Sequence, residues 1–223
     1  MTAIIEAVNL CKTFKLGTVD VEVLKEIDLT IEGGEFVSIM GPSGSGKSTL
    51  LYLIGALDKP TSGNIRIKGR ELSVMKDREE SVMRRRDIGF VFQFYNLIPN
   101  LNVEENIMLP LLLDGRKMKD YKEKLEEILE EVGLADRRHH TPRELSGGQQ
   151  QRVAIARALI SEPDIILADE PIGNLDSKTG TDVMKLLRRI NIKKGKTIVQ
   201  VTHSKDAAEY GTRTINVKDG RIC

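Results

Sequence analysis

Residues Gly41-Pro42-Ser43-Gly44-Ser45-Gly46-Lys47-Ser48-Thr49 satisfy the pattern G-x-x-x-x-G-K-[ST] at every fixed position. They follow the apolar run Phe36 to Met40 and precede the apolar stretch Leu50 to Leu57, which is predicted as a helix. A glycine-rich turn between a buried strand and a helix start concentrates unpaired backbone N–H groups where the helix dipole is positive, so it favours an anion. Two further runs, Ile165 to Ala168 and Thr197 to Val201, are also apolar on consecutive positions. Strands covered on both faces by helices read this way. Each of the three ends in residues suited to chemistry: the glycine-rich turn, Asp169-Glu170 and Thr202-His203. An α/β fold with a P-loop and an open parallel-sheet core is therefore expected, its ligand beyond the carboxyl ends of the strands.

The flanking segments differ in character. Residues 3 to 31 mix β-favouring runs with turn residues such as Gly17 and Gly33-Gly34, and Ile65-Arg66-Ile67 resumes the alternation. These predict an antiparallel β subdomain covering the core. From Phe94 to Leu145 the reading is helical: Asn102 caps a helix with Glu105 three residues on, and Leu125, Ile128, Leu129 and Val132 share one face before Gly133 stops the next. The expectation is a single domain over residues 1–223, with core and β subdomain at about 1–93 and 160–223 and a helical subdomain at about 94–159.

Composition narrows the partners. Charged residues form 30% of the chain but nearly cancel, leaving a net charge of +1, so no general attraction to nucleic acid is expected. Two cysteines are too few for a disulfide framework, and the first residues lack the basic and apolar regions of a signal peptide. A cytoplasmic location is the default. Ile107 to Leu113, the longest apolar-looking stretch, contains Pro110 and falls far short of the roughly 20 residues that span a bilayer. Any membrane function then needs another chain. No regulatory domain is expected after the turn Lys218-Asp219-Gly220.

Specific chemistry attaches to the strand ends. Backbone N–H groups from Gly44 to Lys47 suit a nucleotide's β-phosphate, the Lys47 ammonium the β/γ oxygens, and the Ser48 hydroxyl a Mg²⁺ ion. Asp169 and Glu170 are costly carboxylates to end an apolar strand. A period of two points them oppositely, so Asp169 is assigned to the magnesium through water and Glu170 to polarising the attacking water. His203 is placed to sense a γ-phosphate. Gln93, closing the run Ile88 to Phe92, is placed to contact Mg²⁺ or the attacking water from a lobe boundary. Phe14 either stacks on an adenine ring or serves as a sheet aromatic. His139 and His140 sit among arginines with no metal-ligand spacing and read as surface residues. A second helix start of the phosphate-binding type is Leu145-Ser146-Gly147-Gly148-Gln149, which carries no lysine.

Taken in order, Gly41 to Thr49, Gln93, Leu145 to Gln149, Ile165 to Glu170, Asn174-Leu175-Asp176 and His203 resemble the nucleotide-binding subunit of ABC transporters over the whole chain. The resemblance implies an ATPase with a P-loop NTPase (RecA-like) core. It implies a head-to-tail dimer with two ATP molecules, each held by Gly41, Ser43 to Thr49 and Phe14 of one copy and by Ser146, Gly147, Gly148 and Gln149 of the other. Asp176 then lies at the dimer seam. Ile88 to Gln93 with Asn96 to Pro99, Val103 to Asn106 and Leu109 to Leu112 is similar to the group of the MacB, LolD and FtsE ATPases. That likeness implies a separate integral membrane permease, with the subunit peripheral on the inner face of the membrane; the alternative is a non-transporting ATPase that signals through a membrane partner. The stretch Phe94 to Leu113, dense in apolar residues and including Tyr95 and Leu97, is the expected docking surface. Departures from the family pattern are Phe14 for a common tyrosine, Ile172 for threonine and Ser204 for aspartate.

Overall fold

The computed structural model describes residues 2–223. Its chain order is β1 (Ala3–Leu16), β2 (Val19–Glu32), β3 (Phe36–Met40), α1 (Lys47–Ile54), β4 (Ser62–Ile67), β5 (Arg70–Glu71), α2 (Asp77–Asp87), β6 (Ile88–Val91), α3 (Val103–Leu113), α4 (Lys122–Val132), α5 (Gly147–Leu159), β7 (Ile165–Asp169), α6 (Ser177–Lys194), β8 (Thr197–Val201), α7 (Lys205–Ala208), β9 (Arg213–Lys218) and β10 (Arg221–Ile222). Two sheets result. The antiparallel one has the order β2-β1-β4-β5, and the core sheet has β10-β9-β3-β8-β7-β6, parallel except for the edge strand β10.

Alternate residues of the core strands feed opposite apolar clusters, as the pleat requires. Ile166 and Ala168 of β7 pack with Phe36, Ile198 and the buried faces of α3 to α6. Ile165 and Leu167 pack instead with Val37, Ile39, Val199, α1 and the antiparallel sheet. The core sheet is thus the middle of three layers, which explains why its central strands β3, β8 and β7 are apolar at nearly consecutive positions. Burying one such Ile or Leu contributes about 1.5–3 kcal/mol, so the layers are held chiefly by this packing.

Local signals set the helices. Asn102 accepts from the Glu105 amide, and Glu105 returns a bond to the Asn102 amide, closing a capping box at the start of α3. Helix α4 buries Leu125, Ile128, Leu129 and Val132 and ends at Gly133 in the left-handed region. Helix α1 begins at Lys47, inside the glycine-rich turn, and ends at Ile54 rather than at Leu57. Helix α5 packs against α3 and α4 but also against β6, so one apolar cluster runs without a break from residues 103–134 into the core sheet.

Candidate active site

Three strand ends meet at one edge of the core sheet because their register is shared. Ile39 pairs with Val201, and Val201 with Asp169. The turn following β3, His203 following β8 and Glu170 following β7 therefore lie side by side. Ser43, Gly44, Gly46, Lys47, Ser48, Thr49, Glu170 and His203 line a cleft of about 380 Å³ with Val23 of β2.

The glycine-rich turn is built around close approaches. Gly46 has φ 98° and is the N-cap of α1; a Cβ there would come within 2.7 Å of the Leu24 side chain and 2.9 Å of the Val23 carbonyl. Only glycine fits that position without a shift. Helix α1 thus presents the amides of Lys47, Ser48 and Thr49 to the cleft, as an anion site requires. Lys47 is buried, and its ammonium donates to the Pro42 carbonyl at 2.8 Å, which keeps it curled over the turn. Gly41 and Ser45 belong to the wall of the turn and do not line the cleft.

The two carboxylates divide as strand alternation demands. Asp169 shares the face of Ile165 and Leu167, toward α1, where Ser48 donates to Oδ1 at 2.9 Å and Tyr52 to Oδ2 at 2.6 Å. Glu170 leaves the strand conformation with φ 46°, and its Oε1 lies 2.9 Å from His203 Nδ1. Burial and the bond to Asp169 push the Tyr52 phenol up to about 12, so it stays a donor.

Other sequence-predicted residues sit outside this cleft. Gln93 is bonded to Asn174, accepting from its amide through the backbone carbonyl at 3.0 Å. It does not line the cleft in this conformation. Phe14 is 38% exposed on β1 with the Lys12 ammonium 4.7 Å from its ring centre, an accessible aromatic rather than a core one. Ser146 is the N-cap of α5 and accepts from the Gln149 amide, while the Gln149 side chain returns to the Ser146 amide at 2.9 Å. Gly148 permits close approach of α5 to α6: a Cβ there would lie 2.1 Å from the Thr179 methyl. Asp176 caps α6 through the Lys178 and Thr179 amides, and the Thr179 bonds hold its carboxyl below the usual range. It lines a neighbouring cleft that also contains Glu170 and His203. Gly147, Gly148 and Gln149 line neither cleft.

Among the departures, Ile172 packs partly buried against the core cluster and beside Gly180, and Ser204 caps α7 through the Ala207 amide as an aspartate would. Sequence reasoning missed Val23, Tyr52 and Gln151. Gln151 is buried in α5 and donates to the Pro171 carbonyl at 2.6 Å, tying that helix to the loop after Glu170. Its i, i+2 relation to Gln149 in a polar run gave it no apolar or catalytic signal.

This geometry has known relatives. Residues 24–173 match the family described as ABC transporter. An uncharacterized ABC transporter ATP-binding protein of Thermotoga maritima is 51% identical over 100% of this chain and 94% of its own length. The chain belongs to the ABC transporter family. The LolD ATP-binding protein of the lipoprotein-releasing system of Geobacter metallireducens is 48% identical, covering 100% of this chain and 99% of its own. The MJ0796 cassette of Methanocaldococcus jannaschii, solved as a dimer in a post-hydrolysis state with ADP and Pi, superposes with a TM-score of 0.90 at 48% identity over 98% of this chain and 96% of that one. The fold is accordingly the ABC cassette, and the protein is an ATP-binding subunit with the ATPase machinery of that family. No helix among the described residues is long and apolar enough to cross a membrane.

Proposed function

We propose that this ABC subunit binds ATP with Mg²⁺ in the P-loop cleft, closes head-to-tail on a second copy of itself, and thereby drives a separate integral membrane permease. The observation that carries the dimer is internal to one chain. Its second phosphate-type helix start, at Ser146 to Gln149, lies off the cleft that holds Lys47, Ser48 and Glu170. A nucleotide in that cleft meets such a helix start only if another copy supplies it. Two equivalent sites then form across one symmetric seam, with Asp176 beside it.

Magnesium suits the residues present. Ser48 Oγ and the Asp169 carboxylate offer oxygen donors only, and no cluster of three or more His, Cys, Asp or Glu among the described residues would hold a metal unaided. Mg²⁺ is typically bound by one or two carboxylates together with substrate phosphates. When bound it neutralises charge on the phosphate oxygens. Glu170, held by His203, polarises the attacking water, and Lys47 leaves Pro42 for the phosphates. Gln93 joins the site by exchanging its bond to Asn174 for the metal or the attacking water. Phe14 stacks on the adenine from the exposed face of β1.

The apolar groove lined by Leu57, Phe90, Phe92, Leu109, Pro110 and Leu113 supports docking of a permease segment, which would hold the subunit at the inner face of the membrane. The likeness to the LolD ATP-binding protein of a lipoprotein-releasing system supports export of the lipoprotein kind, with antibiotic-peptide export the other reading that the wider group carries. Light scattering on Glu170→Gln tests the core of this reading: a monomer without nucleotide and a dimer with ATP and Mg²⁺ are expected. A monomer under saturating ATP would overturn the shared site.

A further inference from the structure

Position 52 is the one place in the middle of α1 where a polar group points toward the site. Leu50, Leu51, Leu53 and Ile54 around it are buried apolar residues. The Tyr52 ring is partly buried, and a phenylalanine would fill the same space. Its hydroxyl instead reaches Asp169 Oδ2 at 2.6 Å while Ser48 reaches Oδ1 at 2.9 Å. The two donors stand four residues apart, one turn of the same helix face. Both carboxylate oxygens are thereby engaged from one side. A hydroxyl bond to an ionised acceptor is among the stronger hydrogen bonds, and it constrains a terminal torsion that is otherwise broad and two-fold.

We propose that Tyr52 is a positioning residue: it pins Asp169 Oδ2 so that Oδ1 stays beside Ser48, where the magnesium that accompanies ATP would be met. This rests on the magnesium reading of Ser48 and Asp169 given above. Tyr52 touches neither nucleotide nor water in this role. It acts through Asp169 alone, so its effect is confined to the part of ATP affinity that depends on metal. Outer partners of metal-binding groups commonly carry ten- to a hundredfold in metal affinity, and an aspartate acting through water belongs at the low end.

The test uses the full chain, a fluorescent ATP analogue and Tyr52→Phe, which removes one oxygen and keeps the ring. Binding is titrated with Mg²⁺ and repeated in EDTA, with Asp169→Asn measured alongside. The expected result is a Mg²⁺ midpoint raised about tenfold in Tyr52→Phe, unchanged analogue affinity in EDTA, and kcat restored at saturating Mg²⁺. If Asp169→Asn loses the metal enhancement but Tyr52→Phe keeps the native midpoint, the role of Tyr52 is overturned and the magnesium reading stands. An unchanged midpoint in both variants overturns the magnesium reading itself. An equal loss of affinity with Mg²⁺ and with EDTA also overturns the proposal, because it marks the phenol as part of the general architecture of the cleft.

Discussion

His203 Nδ1 and Glu170 Oε1 stand 2.9 Å apart, and only the histidine faces solvent, its side chain 71% exposed against 16% for the glutamate. The carboxylate is therefore sheltered and oriented by a group that is itself free to meet a ligand. Two variants separate the roles. Glu170→Gln is expected to lower ATP hydrolysis by about 10² to 10⁴, the range for loss of a general base, with ATP binding intact. His203→Ala removes a bond to a charged acceptor worth about 1.5–3 kcal/mol, so kcat should fall by roughly ten- to a hundredfold. Steady-state kinetics check both, and a His203→Ala enzyme of native kcat would show that Glu170 orients itself.

Lys47 carries a different part of the site. Its ammonium is already inside the turn, bonded to Pro42, so little rearrangement is needed to reach a phosphate. Lys47→Ala removes charge-assisted bonds worth about 1.5–3 kcal/mol each and should weaken ATP binding by about two powers of ten. Equilibrium dialysis measures this directly. Native affinity in the variant would remove the P-loop assignment.

The contact of α5 with α6 gives a test of packing independent of catalysis. Gly148→Ala places a Cβ 2.1 Å from the Thr179 methyl, so the helices must separate. Overpacking of this kind typically costs about 1–3 kcal/mol. Thr179→Ser deletes that methyl, and the double variant should recover most of the loss. Urea unfolding of the four proteins forms the cycle; additive losses would mean that the strain is relieved elsewhere.

Asp114, at the end of α3, answers to pH. Burial pushes its carboxyl up, but bonds from Arg86, Arg116 and Arg85 outweigh this and hold it below the ordinary range. A group lowered in the folded state stabilises above its unfolded pKa of about 3.9, and the contribution is lost as pH falls through the folded value. Asp114→Asn should therefore lower Tm at pH 7, with the gap to the native chain closing as pH drops below about 4. A gap independent of pH would assign the loss to packing alone.

Elements with an unambiguous environment could be read from the residues. Strands β3, β7 and β8 are covered on both faces, so their apolar residues run almost consecutively around a few buried polar ones such as Ser38 and Gln200, which bond to each other, and the caps at Asn102 and Ser146 announce their helices by side-chain chemistry. Strand β9 was not legible: it lies beside β3 but exposes Arg213, Thr214 and Asn216, leaving only Ile215 and Val217 to mark it. Helix α2 escaped for a related reason, since Glu80 and Met83 are its only buried residues and it has no apolar stripe. At the site, Asp169, Glu170 and His203 follow from strand ends. Tyr52 does not, because a tyrosine in an apolar helix looks like core until the register of α1 against β7 is known.

Docking of a partner offers the last prediction, and the structure moves its location from Tyr95 and Leu97 to the far end of the expected stretch, Leu109 to Leu113, together with Leu57, Phe90 and Phe92 outside it. Leu97 is partly buried against the core, and the Tyr95 hydroxyl turns inward, 2.9 Å from where a Cβ on Gly147 would be. Neither presents a free apolar face. The groove beside them does: Leu57 is 46% and Leu113 66% exposed, with the stacked rings of Phe90 and Phe92 along it and Arg84, Arg85 and Arg157 at its border. The border arginines favour a segment that pairs apolar residues with acidic ones. Exposed positions of this kind change stability by about 0.5 kcal/mol or less. Leu57→Ser with Leu113→Ser should thus leave folding and the ATPase of the isolated subunit unchanged while abolishing co-purification with the permease and stimulation by it. Normal assembly and full stimulation in the double variant would place the docking surface elsewhere.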